Sequence, residues 1–420
     1  MSRSEEHLVG AQALKADFPY MLIGEDFEVL FEVFAEENDQ FAALVICIDD
    51  FEKKLKDLGQ TIVSTVVVKL ARVVDDMSEA QLMTWGCAGQ GCFACLCRNM
   101  DQIQAVELAK ELQRRFTLLS NETVSVGLAV FPFWPFERGA VLANAQKALD
   151  HAAFFGANTI TPFDAVSLNI SADKLYQYGD IDGAVEEFKT AAMVDSQNVN
   201  VHNSLGVCYG VQAKLDLAID AFETAIEINP KDVMATYNLG LAYLKQENRD
   251  VALELFLKAH SLDGDNPDIA GHIGMCYQEM GQVDKALGYL EGAVEKISWG
   301  TAVFRALGDC YLEKDLPRKA AKAFEKAIKA HPKDAKSLNT LGHIYGMLGE
   351  NLEIAIVLAE ESVSIDRNKG LYRCRLGKLY LQVGNYDKAL KELRKADELG
   401  QACSELIAEA ESRAAVYRGQ

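Results

Sequence analysis

Four cysteines and three glycines lie together in residues 84–97, TWGCAGQGCFACLC, and the cysteines could build a metal site. Four thiolates, here Cys87, Cys92, Cys95 and Cys97, can hold zinc or an iron–sulfur cluster. Structural zinc sites usually pair C-x2-C knuckles, whereas alternation along a strand sends Cys95 and Cys97 to one face and Cys92 to the turn or the other face. We therefore expect no bound metal and interpret the four as small apolar residues of a buried strand pair.

The chain has ten cysteines in all, which could in principle form disulfides. Cys208, Cys276, Cys310 and Cys374 lie inside apolar helical patterns, where a small hydrophobic residue would serve equally well. The compartment expected for this chain is also reducing. Free, buried thiols are the prediction.

The charge balance excludes several classes of partner. The formal net charge is -20, which repels nucleic acid and anionic membranes. No apolar run approaches the roughly 20 residues that a membrane helix needs, and the first residues lack the apolar core of a signal peptide. We expect a cytoplasmic protein with no membrane and no nucleic-acid partner, and 420 residues predict more than one folded unit.

The second half of the chain is an internal repeat with a period of 34 residues, once 35. A tyrosine follows the repeated small residue by three places from the second unit on, and an alanine follows it by about twelve. The small residues are Ala172, Gly206, Gly240, Gly274, Gly308, Gly342 and Gly377. Small side chains at this spacing let two antiparallel helices cross closely, while the aromatic residue fills the wedge between successive hairpins.

This spacing resembles the tetratricopeptide repeat (TPR) family, over residues 165–403. One hairpin cannot cover its own apolar face, so the hairpins must stack into an all-α solenoid. Pro230 and Pro332 fall where one unit must end and the next begin. We predict seven repeats, followed by a capping helix at 404–420.

The TPR resemblance implies a groove, lined by the first helix of each hairpin, that holds a protein or peptide. The chaperone-tail clamp of the family needs Lys and Asn at two offsets of one repeat, and no repeat here supplies both. Several cations at the C-terminal end favour an acidic partner, although an ordinary solvated helix face explains them as well. The predicted groove residues are Asn203, Tyr237, Arg305, Asn339, His343, Arg375 and Lys378.

The first half of the chain predicts an α+β domain. Residues 41–48, FAALVICI, have the composition of a buried strand, and helical periodicity follows in 51–75. Strand-like runs near 80–87 and 92–97 flank the glycine turn. Further along the chain come a helix, a strand, a helix and a short closing strand. Helices covering a mostly antiparallel sheet are the natural packing for this order.

The order of these elements resembles a GGDEF domain, the diguanylate cyclase family, across residues 25–164, after an N-terminal segment 1–24. SVGLAVFP stands where the family has a Ser-Ile-Gly strand, and ALDHAAFFGAN resembles the end of its signature helix. The family makes cyclic di-GMP from two GTP, with Mg²⁺ held by carboxylates on the first strand and on the turn.

The residues for that chemistry are missing from this chain. The first-strand metal position is Cys47, and the acids of the turn are replaced by Gly91 and Cys92. The positions at which the family binds its substrate and its inhibitory product are occupied here by Leu55, Lys56, Ala80, Met83 and Ala153. We predict no catalytic residue, no metal, no cofactor and no cyclase activity. A vestigial nucleotide site would comprise Asp49, Gly89, Gln90, Gly91 and Asn158.

Together these features predict a signalling adaptor or scaffold, in which a pseudoenzyme domain precedes a partner-binding TPR array. The alternative is a sensor of GTP or cyclic di-GMP, or a half-site partner of an active diguanylate cyclase. A purely structural role is a third possibility. The aromatic segment FPFWPFE is expected to dock the first domain onto the repeats.

Overall fold

A six-stranded mixed sheet forms the centre of the N-terminal region, which confirms the predicted α+β class. The computed structural model describes residues 9–81, 83–296 and 300–418. The strand order is β1-β3-β4-β2-β5-β6, with three antiparallel pairings in the middle and a parallel pairing at each edge. The strands are β1 Leu22–Ile23, β2 Phe41–Ile48, β3 Met83–Gly89, β4 Cys92–Arg98, β5 Val124–Phe131 and β6 Ile160–Pro162.

Helices cover both faces of this sheet, so the central strands are buried on both sides. The helices are α1 Ala11–Asp17, α2 Glu25–Glu37, α3 Phe51–Leu58, α4 Gln60–Gln81, α5 Gln102–Leu119 and α6 Val141–Ala152. Alternate strand residues pack against α1, α4 and α5 on one face and against α2 and α6 on the other. Successive residues of a strand point to opposite faces, and both faces are covered here. The strands are therefore continuous apolar runs in the sequence.

The order of elements from residue 41 onwards is the predicted one. The helical stretch expected at 51–75 is divided, because Gly59 has a φ of 79° and separates α3 from α4. Only glycine adopts such a conformation without steric cost. The structure also adds α1, β1 and α2 ahead of the first predicted strand, and β1 extends the sheet by pairing with β3.

The rest of the chain folds into helical hairpins. Within the described residues there are seven hairpins and a final helix. The hairpins are α7 Ala165–Gln177 with α8 Ile181–Val194, α9 Val199–Val211 with α10 Leu215–Ile228, α11 Val233–Lys245 with α12 Arg249–Leu262, α13 Pro267–Glu279 with α14 Val283–Lys296, α15 Thr301–Glu313 with α16 Pro317–Ala330, α17 Ala335–Leu348 with α18 Leu352–Ile365, and α19 Gly370–Gln382 with α20 Tyr386–Glu398. The final helix is α21 Ser404–Arg418.

The repeated glycines allow the two helices of a hairpin to approach closely. A Cβ atom built on Gly308 would lie 2.7 Å from the ring of Phe324, which is fully buried. In the repeat of Gly342 the bulky residue is absent, and such a Cβ would lie 2.8 Å from the carbonyl oxygen of Ala355. Close helix crossing therefore depends on the missing side chain in both situations.

The repeated tyrosines of the last three repeats, Tyr311, Tyr345 and Tyr380, connect their hairpins to the preceding ones. The Tyr311 hydroxyl donates to Glu291 Oε1 at 2.7 Å, and the Tyr345 hydroxyl donates to Glu325 Oε1 at 2.6 Å. In both cases the tyrosine lies on a first helix and the glutamate on the second helix of the preceding repeat. The prediction that these aromatic residues bridge successive hairpins is confirmed.

The chain divides into two compact units between Pro230 and Lys231. In the first unit, α6 packs on α7, and one apolar core continues from the sheet into the first hairpins. The rings of Phe133 and Phe136 lie 5.5 and 5.3 Å from the ring of Phe163, just before α7. These rings therefore pack against the end of the sheet domain, two residues before the first repeat, and docking of the aromatic segment onto the repeats themselves stays a prediction. No helix of the described residues has the length and apolar character needed to cross a membrane.

Candidate functional site

Asp49 follows β2, and both oxygens of its carboxylate accept hydrogen bonds from other residues of the sheet domain. Its Oδ1 accepts a hydrogen bond from the Ser125 hydroxyl at 2.6 Å, and its Oδ2 accepts one from the Asn158 backbone N–H at 2.8 Å. The Thr159 N–H donates to the Ser125 hydroxyl at 3.2 Å. The structure thus brings together Asp49 and Asn158, two predicted site residues. Asp49 ties the end of β2 to β5 and to the loop before β6.

The glycine turn between β3 and β4 is also packed against neighbouring residues. Gly91 has a φ of 66°, and its carbonyl oxygen accepts from the Ile48 N–H at 3.1 Å. A Cβ at this position would overlap the ring of Phe51. The Gln90 side chain accepts from the Val9 N–H at 3.1 Å. Gly89, Gln90 and Gly91 are therefore adjacent to the end of β2, where the family resemblance places the nucleotide site.

A disulfide joins Cys47 and Cys92, so the prediction that all cysteines are free is wrong for this pair. The two residues are directly opposed in the antiparallel pairing of β2 and β4, with a Cα–Cα distance of 4.2 Å. Such a separation is short enough for a cross-strand disulfide. These are the positions where the resemblance places metal-binding carboxylates. The other eight cysteines are free thiols.

The remaining cysteines of the opening stretch lie on the opposite face of the sheet. Cys87, Cys95 and Cys97 are buried in the core formed with α1, α4 and α5. Burial raises the pKa of all three thiols, for Cys97 to about 12. Strand alternation has separated them from Cys92, as predicted. Within 9–81, 83–296 and 300–418, no group of three or more His, Cys, Asp or Glu side chains is placed to hold a metal.

The predicted groove residues lie on first helices in both units. Asn203 belongs to α9 in the first unit, and the others lie in the second unit. Tyr237 on α11 is half-buried, and its hydroxyl oxygen lies 3.2 Å from His272 Nδ1 on α13. Arg305 lies on α15, and the four remaining residues share α17 and α19, which pack against each other.

Two of the cations near this surface are neutralised within the fold. Arg305 Nη1 lies 3.3 Å from Asp334 Oδ1, and Lys336 Nζ lies 3.0 Å from Asp309 Oδ2. Asp334 precedes α17 and also accepts a hydrogen bond from the Ser337 hydroxyl. The prediction of an acidic partner rested on the cations alone, although Asp309 occupies the same position of its repeat as His343 and Lys378, and Asp334 directly precedes α17.

Arg375 is held in place by a neutral partner. Its Nη1 donates to Asn339 Oδ1 at 2.9 Å, and Asn339 is fully buried, with its Nδ2 donating to the Ser362 hydroxyl at 3.1 Å. Burial lowers the pKa of Arg375 from its usual value. In the part of the chain that the structure describes, no carboxylate lies within ion-pair distance of Arg375. Asn339 therefore positions this guanidinium without neutralising it.

His343 and Lys378 complete what we term the basic cluster, defined as His343, Arg375 and Lys378. Lys378 is exposed and lies one helical turn after Arg375 on α19, without an acidic partner among the described residues. Burial, together with the charges of Arg375 and Lys378, lowers the pKa of His343 to about 4. The imidazole is therefore neutral near pH 7 beside two cations. Such an arrangement can accept an anion, since a carboxylate would be attracted by both charges.

Comparison with known protein families agrees with the hairpin geometry. Tetratricopeptide repeat models match residues 199–232, 237–301, 304–334, 323–356 and 372–402. Residues 199–402 thus form an array of tetratricopeptide repeats. No curated protein matches the chain.

Several solved structures are similar to parts of the chain. YrrB, described as a TPR protein with an unusual peptide-binding site, is 25% identical over 42% of this chain and 90% of its own, with a TM-score of 0.36. MamA is 26% identical over 41% of this chain and 94% of its own, with a TM-score of 0.35. The pilF protein of Pseudomonas aeruginosa is 18% identical over 51% and 96%, with a TM-score of 0.44. TM-scores this low add nothing to the assignment of the repeats.

Proposed function

We propose that this chain is a protein-binding adaptor whose repeat array holds an acidic peptide segment of its partner at the basic cluster. The observation that carries the proposal is Arg375, a half-buried guanidinium fixed by Asn339, with no carboxylate of the described residues within ion-pair distance; the nearby Asp309 is paired with Lys336. A guanidinium matches the planar geometry of a carboxylate, and its donors are pre-positioned here. Glu or Asp side chains of a partner are therefore the preferred ligands.

The acidic character of the whole protein makes this preference selective. At a net charge of -20, an acidic segment is repelled by most of the surface and attracted only where cations are uncompensated. Arg305 and Lys336 do not provide such a place, because Asp334 and Asp309 pair with them. The basic cluster on α17 and α19 is the site that the charges favour.

A binding titration tests this proposal. A fluorescein-labelled Glu-rich peptide should bind the full chain with higher affinity than the same peptide with Gln at each Glu. Arg375→Glu should weaken binding at least about 10-fold, because it places a like charge at the ligand carboxylate. Lys322→Glu, on the second helix α16, makes the same change in net charge and serves as the matched control. Equal losses in the two variants would refute a localised site.

We also propose that the sheet domain is a pseudoenzyme with no cyclase activity. Phosphoryl transfer of this kind needs Mg²⁺ held by carboxylates. The Cys47–Cys92 disulfide occupies the position where the family resemblance places those ligands, and both Asp49 oxygens already accept hydrogen bonds. A packing role at the start of the repeats suits such a domain.

Incubation with GTP and Mg²⁺ tests this second proposal, with cyclic di-GMP as the product to be measured. Product formation at an enzyme-like rate would overturn it. Calorimetric titration with GTP and with cyclic di-GMP addresses the alternative role. Saturable binding of either ligand would favour a nucleotide sensor or a half-site partner over a purely packing domain.

A further inference from the structure

Two sulfur atoms lie in contact at the C-terminal end of the repeat array. Cys374 Sγ and Cys403 Sγ are 2.7 Å apart, and both residues are free thiols. Cys374 lies on α19 and is half-buried, whereas Cys403 directly precedes α21 and is only 2% exposed. A bond between these atoms would link the last repeat to the final helix.

The backbone around Cys403 holds its sulfur at this place. The Cys403 carbonyl oxygen accepts from the Ile407 N–H at 2.9 Å and so begins α21. The Cys403 N–H donates to Asp397 Oδ1 on α20 at 3.4 Å. Cys403, Ala410 and Leu406 also belong to the apolar cluster of the last repeat. The two thiols therefore meet in an ordered part of the fold and need only a small movement to bond.

We propose that Cys374 and Cys403 form an oxidative modification site, a dithiol that a low-molecular-weight disulfide such as glutathione disulfide converts into a disulfide fixing α21 to α19. In the first step the Cys374 thiolate attacks one sulfur of glutathione disulfide and expels a glutathione thiolate. In the second step Cys403, losing its proton to solvent, attacks Cys374 Sγ and expels the second glutathione thiolate. Both protein thiols are oxidised, and one glutathione disulfide is reduced to two glutathiones.

The environments of the two sulfurs set the order of these steps. Cys374 is the accessible one, so the external disulfide reaches it first. Cys403 is buried, and burial together with the neighbouring Cys374 raises the pKa of its thiol to about 12. It therefore reacts only as the resolving thiol, where the contact between the sulfurs compensates for its small thiolate fraction.

Oxidation of the full chain, followed by digestion without reductant and mass spectrometry, tests the proposal. The reduced protein is incubated with glutathione disulfide, and the expected product is a peptide cross-link between Cys374 and Cys403. Cys403→Ala should stop at the mixed disulfide of Cys374 with glutathione, and Cys374→Ala should leave Cys403 unmodified. Cys310→Ala, which removes a buried thiol from α15, is the matched control and should keep the cross-link.

Glutathione retained on Cys374 in the unaltered chain, without a cross-link, would overturn the proposal, as would two unreacted thiols. Circular dichroism checks that each variant is folded, and Cys403→Ser provides a second resolving-thiol variant. Hydrogen exchange supplies an independent readout. A disulfide that ties the start of α21 to α19 should slow exchange of the α21 amides several-fold in the oxidised protein. Unchanged exchange of α21 after cross-linking would contradict the claim that the bond fixes this helix.

Discussion

The Cys47–Cys92 disulfide gives the sharpest prediction for the sheet domain. The bond closes a loop with a sequence separation of 45 residues, spanning α3, α4 and β3. Its removal restores conformational freedom to the unfolded chain, by about 13 cal/mol/K for a loop of this length. The double variant Cys47→Ala with Cys92→Ala should therefore lower the free energy of unfolding by about 4 kcal/mol at 25 °C.

Urea unfolding followed by tryptophan fluorescence measures this change. Trp85 is 7% exposed in the core of the same unit, and its Nε1 donates to Asp75 Oδ1 at 3.2 Å, so it reports on the packing of β3. A reductant should destabilise the unaltered chain by the same amount and leave the double variant unchanged. An unaltered chain that does not respond to reductant and unfolds within about 0.5 kcal/mol of the variant, well below the usual contribution of a disulfide, would refute this prediction.

Three further changes test the packing and the charges. Asp49→Asn should lower stability to urea by about 2 kcal/mol, because an amide cannot replace both charge-assisted acceptors of the carboxylate. Gly308→Ala should cost about 1 to 3 kcal/mol through overlap with Phe324, whereas Gly288→Ala, which meets no atom within 4 Å, should stabilise its helix by about 0.5 kcal/mol. His343 has its pKa lowered from 6.5 to about 4, so the unfolded chain binds more protons between these pH values and stability should fall as the pH drops through this window. His343→Gln should flatten that part of the curve in urea unfolding at several pH values.

The repeat array could be predicted from the sequence because its packing rule is local and periodic. From the second unit on, a glycine, a tyrosine and an alanine at nearly fixed offsets define the hairpins, and the contacts of Gly308 with Phe324 and of Tyr345 with Glu325 agree with that spacing. The order of strands and helices from residue 41 was equally accessible, because alternation and helical periodicity are properties of short segments.

The register between strands could not be predicted, because it depends on contacts between distant segments. A shift of one residue between β2 and β4 would have sent Cys47 and Cys92 to opposite faces, so only the three-dimensional pairing reveals their bond. The same limit applies to the basic cluster. The sequence predicts Arg305 and Arg375 as equivalent groove cations. In the structure, Arg305 pairs with Asp334, whereas Arg375 donates to the neutral Asn339.

A charge-exchange experiment tests the central claim that the basic cluster holds a carboxylate of the partner. Calorimetry would compare the full chain and Arg375→Glu, each with a Glu-containing peptide and with the same peptide carrying Lys at the contacted position. The original chain should prefer the Glu peptide, and Arg375→Glu should reverse this preference. If Arg375→Glu binds both peptides as the original chain does, the basic cluster on α17 and α19 does not hold the carboxylate.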